Sequence, residues 1–72
     1  MVATGPATTF GAELQAARLE RGMTRKALAT KSGVSYVNIR RIEMTTQLPY
    51  EGTVIALARA LDLPAATLLK WR

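Results

Sequence analysis

The sequence predicts an all-α fold, a compact bundle of five short helices. Three observations carry that prediction. Apolar residues recur three and four positions apart, the helical period, and no segment alternates as a strand would. Gly22, Gly33, Pro49 and Pro64 divide the chain into segments of helical length. Thr8 or Thr9, then Thr24, then Ser35 stand before such segments, where a hydroxyl can accept a bond from a helix-starting amide.

Residues 1–9 are small and polar around Gly5-Pro6 and read as a loose tail, with the domain proper over residues 10–72. The first helix is expected over residues 10–21, with Phe10, Leu14 and Ala17 on one face and Gly22 ending it. Thr24 restarts the chain as an N-cap, and residues 25–32 form a second helix with Leu28 and Ala29 inward. Gly33 stops it, and Ser35 caps a third helix over residues 36–44. Two short helices joined by a glycine-centred turn have the spacing of a helix-turn-helix, here over residues 24–44. Ala29 supplies the small residue that close helix contact needs, and Gly33 the freedom to take a positive φ. Val34, Ile39 and Ile42 are the apolar pins. After a loop over residues 45–49, a fourth helix is expected over residues 50–61, with Val54, Leu57, Ala58 and Leu61 on its apolar face. Pro64 is expected as the first residue of a fifth helix reaching Trp71.

Seventy-two residues allow one domain. A chain of this size buries only about 60% of its unfolded surface, so its stability needs every contribution available. The sequence has no Cys and no His, which closes off disulfides and a zinc site. The same absence, with only five acids and no glycine-rich phosphate loop, leaves no nucleophile–base pair, so no catalytic residue and no cofactor is expected. No apolar run approaches the ~20 residues of a membrane span, and a cytoplasmic protein is expected. The formal charge is +5, and its distribution is informative. Arg18, Arg21, Arg25, Lys26, Lys31, Arg40 and Arg41 crowd the middle of the chain against the single acid Glu20. That concentration suits an anionic partner.

Several features then line up in order: Ala16-Ala17-Arg18, Arg21-Gly22-Met23-Thr24, Leu28-Ala29 and Ser32-Gly33-Val34-Ser35. Ile39, Ile42-Glu43, Pro49, the run from Leu57 through Leu63, and Leu68 follow. This ordered set resembles the Cro and phage-repressor type of helix-turn-helix domain, the XRE-like or lambda-repressor-like family, over about residues 10–69. The resemblance implies a buried ion pair between Arg18 of the first helix and Glu43 at the end of the third, a structural stitch. It also implies double-stranded DNA as partner. Where many relatives carry Gln at the start of the second helix and an acid two positions later, this chain has Arg25 and Ala27. After Glu43 the loop reads Met44-Thr45-Thr46-Gln47, in which hydroxyl and amide groups replace basic side chains.

On a helix turning about 100° per residue, Ile39 and Ile42 face inward with Ser35, while Tyr36, Val37, Arg40 and Arg41 face outward with Met44 behind them. In this kind of domain the outward face enters the major groove. Arg40 and Arg41 carry guanidinium forks suited to guanine, with Arg40 favoured for bases because it is nearer the centre of the arc. Tyr36 offers a hydroxyl and a stacking ring, and Val37 a methyl contact for thymine. Phosphate contacts are assigned to Thr24, Arg25 and Lys26 at the start of the second helix. Ser35 and Asn38 on the third helix, and Thr45, Thr46 and Gln47 in the loop, complete that set. Lys31 reads as solvated, and Trp71 either closes the core or forms a dimer seam.

The expected protein is a phage or prokaryotic transcriptional regulator. It binds a short palindromic operator as a homodimer and represses by occupying it. The alternative is an antitoxin-type or other interaction module that binds a protein partner as well as DNA.

Overall fold

A computed structural model describes residues 9–70. The tail reading of residues 1–8 and the role of Trp71 lie outside the described residues. Among the described residues there are five helices and no strand: α1 (Phe10–Glu20), α2 (Arg25–Ser32), α3 (Tyr36–Met44), α4 (Glu51–Ala60) and α5 (Ala65–Leu69).

The first three helices begin alike. The Thr9 hydroxyl accepts from the Ala12 amide at 3.1 Å, Thr24 from Ala27 at 3.0 Å, and Ser35 from Asn38 at 3.1 Å. Each satisfies an amide that has no partner within its helix, a contribution of about 1 kcal/mol. Ser35 is therefore exposed at a helix start, not turned inward with Ile39 and Ile42 as the helical wheel suggested. Its backbone is extended, so the wheel does not apply to it. Two further expectations shift by one residue. Tyr50 and Pro64 have extended backbones and occupy the N-cap positions, so α4 starts at Glu51 and α5 at Ala65.

Helices α1 and α4 end by the same device. Met23 donates to the Arg18 carbonyl at 3.0 Å while Gly22 donates to Leu19 at 2.9 Å. Likewise Leu63 donates to Ala58 at 2.8 Å and Asp62 to Arg59 at 3.0 Å. This paired pattern requires a left-handed residue, Gly22 (φ 67°) in one case and Asp62 (φ 60°) in the other. The next residue, Met23 or Leu63, packs its side chain against the core. Gly33 ends α2 at φ 81°, donating to the Ala29 carbonyl at 2.9 Å.

Each helix contributes to one core. Leu14 of α1, Leu28 of α2, Ile39 and Ile42 of α3, Val54 and Leu57 of α4, and Leu68 of α5 are buried, joined by Phe10 and by Leu61 just past α4. Removing each such side chain from water is worth about 1.5–3 kcal/mol. Helix α3 is held from within by α1 and α2, while α4 packs on α2 and α5. The α1–α3 contact is close enough to specify glycine. A Cβ on Gly11 would lie 2.2 Å from the Ile42 carbonyl oxygen and 3.0 Å from the Glu43 Cα. Arg21 ties the end of α1 to the end of α4 by donating through Nε to the Leu61 carbonyl. None of these helices is long and apolar enough to cross a membrane.

Candidate nucleic-acid interface

The packing of α3 leaves one of its faces open. Ile39 and Ile42 are fully buried, whereas Tyr36 is 40% and Val37 61% exposed, and Arg40, Arg41 and Met44 are exposed beside them. Tyr36, Val37, Arg40, Arg41, Met44 and Thr45 line one shallow concavity. Tyr36 also lines a second with Arg18, Thr24, Arg25 and Lys26 at the start of α2. Arg41 is shared with a third, where Asn38, Gln47, Leu48, Pro49, Tyr50 and Thr53 meet. The structure thus joins nearly all the residues singled out from the sequence into one strip, with Tyr36 and Arg41 as its junctions. Lys31 is exposed and lies apart, beside Arg59. Ser35 and Thr46 are exposed next to the strip without lining those concavities.

Beneath the strip lies a charged network. Arg18 grips Glu43 with Nε on Oε2 at 2.8 Å and Nη2 on Oε1 at 3.0 Å, and gives Nη1 to the Met23 carbonyl at 2.8 Å. The Glu43 side chain has no exposed surface. Arg25 adds a third contact, Nε to Glu43 Oε1 at 3.0 Å, and its Nη2 lies 3.7 Å from the Met44 sulfur. Hydrogen bonding to Glu43, the strongest influence, raises the Arg25 guanidinium above its ordinary pKa. The link between Arg25 and Glu43 had no sequence signal, because it joins the first residue of one helix to the last turn of another.

The hydroxyls of the strip differ in what they have left to offer. Thr24 and Ser35 accept backbone amides, which leaves each O–H able to donate outward. Thr45 is different. Its O–H donates to the Arg41 carbonyl at 2.7 Å and its oxygen accepts from the Gln47 amide at 3.1 Å. A phosphate contact by the Thr45 hydroxyl requires that first bond to be given up. Two exposed apolar residues of the loop, Leu48 (54%) and Tyr50 (84%), escaped the sequence reading.

The model of a helix-turn-helix domain matches residues 9–71 of the chain. The chain belongs to the helix-turn-helix domain family. It is 46% identical over 57 residues to the HTH-type transcriptional repressor RghR of Bacillus subtilis, a match covering 78% of this chain and 42% of that protein. It is 39% identical over 51 residues to the uncharacterized HTH-type transcriptional regulator y4dL of Sinorhizobium fredii, covering 71% of this chain and 26% of that protein. The chain therefore spans less than half the length of either relative. In this helix-turn-helix domain, α2 and α3 are the motif and the open face of α3 is its outward surface.

Proposed function

We propose that this domain is a DNA-binding transcriptional regulator that reads a short operator through the open face of α3. The observation that carries this reading is the division of α3 into two faces. Its inner face, Ile39 and Ile42, is fully buried, while Tyr36, Val37, Arg40 and Arg41 stand exposed together without a charged partner among the described acids. Family membership, and the regulator names of both relatives, support DNA as the ligand.

In this reading Arg40 takes the two acceptors of a guanine, a contact worth about 1–3 kcal/mol of discrimination. Arg41 lies at the junction toward the loop and takes a phosphate or a flanking base. Val37 meets a thymine methyl, and Tyr36 bridges from the base edges to the backbone. Thr24, Lys26, Ser35, Asn38 and Gln47 flank the face and set its register on phosphates. One domain of this size reaches few base pairs, so two copies on a two-fold operator supply the affinity. Occupying that operator is enough to repress.

The test is selection of sites from a random duplex pool at near-physiological salt, with Arg40→Ala in parallel. A palindrome with half-sites about 10 base pairs apart, and loss of preference at one guanine in the variant, is the expected result. Binding without any enriched sequence, vanishing steeply as salt rises, would leave only the phosphate attraction and overturn the operator reading.

A further inference from the structure

Two guanidiniums share one buried carboxylate at the junction of α1, α2 and α3. Arg18 alone satisfies Glu43, since it occupies both carboxylate oxygens. Arg18 is also engaged through all three of its nitrogens, its remaining amino group donating to the Met23 carbonyl. Arg25 is therefore not needed to neutralise Glu43, and the trio carries one positive charge in excess. That excess sits on a side chain 24% exposed, on the rim of the concavity shared with Thr24, Lys26 and Tyr36. Of its five N–H donors, Nε serves Glu43, one on Nη2 points at Met44, and the Tyr36 phenol acts on one at most. At least two donors remain.

We propose that Arg25 is a pre-oriented phosphate clamp, its Nε locked by Glu43 while its terminal amino groups take a DNA phosphodiester beside α3. The phosphate becomes the fourth member of an alternating chain: Arg18, Glu43, Arg25, phosphate. Only a guanidinium can do both, because its donors diverge from one rigid plane. A lysine ammonium presents a single nitrogen, so holding Glu43 turns it away from the groove. The proposal rests on the DNA-binding reading and adds to it how one contact is held before DNA arrives. Rotamer freedom is lost during folding and not on binding, and this favours affinity.

The experiment measures binding of the wild-type chain, Arg25→Lys and Arg25→Gln to a random-sequence duplex pool of about 24 base pairs, long enough for two half-sites, across a salt series. Thermal melts accompany each. Both variants are expected to melt close to wild type, since Arg18 still holds Glu43. Arg25→Gln is expected to bind about tenfold more weakly and to lose about one unit of salt slope. Arg25→Lys is expected to keep the slope, having kept its charge, and still to bind about tenfold more weakly for want of the fork. Lysine binding as tightly as arginine overturns the clamp while leaving the DNA reading intact. Glutamine with an unchanged slope overturns it also, as does a loss of affinity explained wholly by a lowered melting temperature. A wild-type chain that binds no duplex at any salt overturns both readings.

Discussion

Arg18 and Glu43 stand 25 residues apart and close on each other by two parallel hydrogen bonds, with the carboxylate wholly buried between α1 and α3. A buried pair of this kind contributes little over an apolar replacement, because desolvating both charges offsets their attraction. Breaking it is another matter.

Arg18→Ala leaves Glu43 with the single Arg25 contact and strips the Met23 carbonyl of its donor. The expected cost is about 3 kcal/mol, a large fraction of the stability a small domain has. A thermal melt followed by circular dichroism should fall by at least ~12 °C. Arg18→Lys should not restore it, since one ammonium cannot span both oxygens and the Met23 carbonyl. A variant melting like wild type would show the network to be ornamental.

Gly11→Ala is expected to be as disruptive for a steric reason. Its Cβ would lie 2.2 Å from the Ile42 carbonyl oxygen, a backbone atom, so α1 must move away from α3. Overpacking of this order costs about 2 kcal/mol, or ~10 °C in a domain this small. An alanine variant as stable as wild type, despite alanine's better helix propensity, would refute the close approach.

Left-handed residues give a paired prediction of opposite sign. Gly33 has open space where a Cβ would go, so Gly33→Ala should cost only the backbone strain, about 1 kcal/mol. Asp62 already carries that strain at φ 60°, with no glycine to relieve it. Asp62→Gly should therefore be neutral or stabilising by up to about 1 kcal/mol, although glycine also gains unfolded-state entropy. Denaturant midpoints measured side by side decide it, and both changes acting in the same direction would count against the argument.

The helices were legible because their signals are local. Thr9, Thr24 and Ser35 announce helix starts by their chemistry, and Gly22 and Gly33 announce ends by their freedom. Arg18 with Glu43 was legible only through the family resemblance, since nothing local links them. What stayed hidden depends on two distant segments meeting. Gly11 looks like an ordinary residue of a small-residue helix start until Ile42 is set against it. Arg25 looks like one more surface cation until Glu43 is seen to be shared. Asp62 hid for a different reason: its neighbour Pro64 explained the break of α4 well enough that the left-handed turn went unasked for. The open face of α3 was readable from periodicity alone, because one helical turn sorts Ile39 and Ile42 from Tyr36, Val37 and Arg40.

Thr45 and Lys26 offer a test that separates closing the helix from the phosphate contact proposed above. The Thr45 hydroxyl donates to Arg41 and accepts from Gln47, closing the end of α3, so Thr45→Val should lower stability by about 1–2 kcal/mol. Because its proton is committed inward, the same change should leave the folded domain's duplex affinity at a fixed salt concentration where it was. Lys26 is exposed on the rim beside Thr24, with no ion pair among the described residues. Lys26→Ala should therefore melt within about 0.5 kcal/mol of wild type and lose about one unit of salt slope. Melts and salt series on the two variants should thus cross over, each moving the quantity the other leaves alone. A Thr45 variant that loses duplex affinity at fixed salt without losing stability would mean its hydroxyl turns outward to a phosphate on binding, and the end of α3 would then have to rearrange to let it.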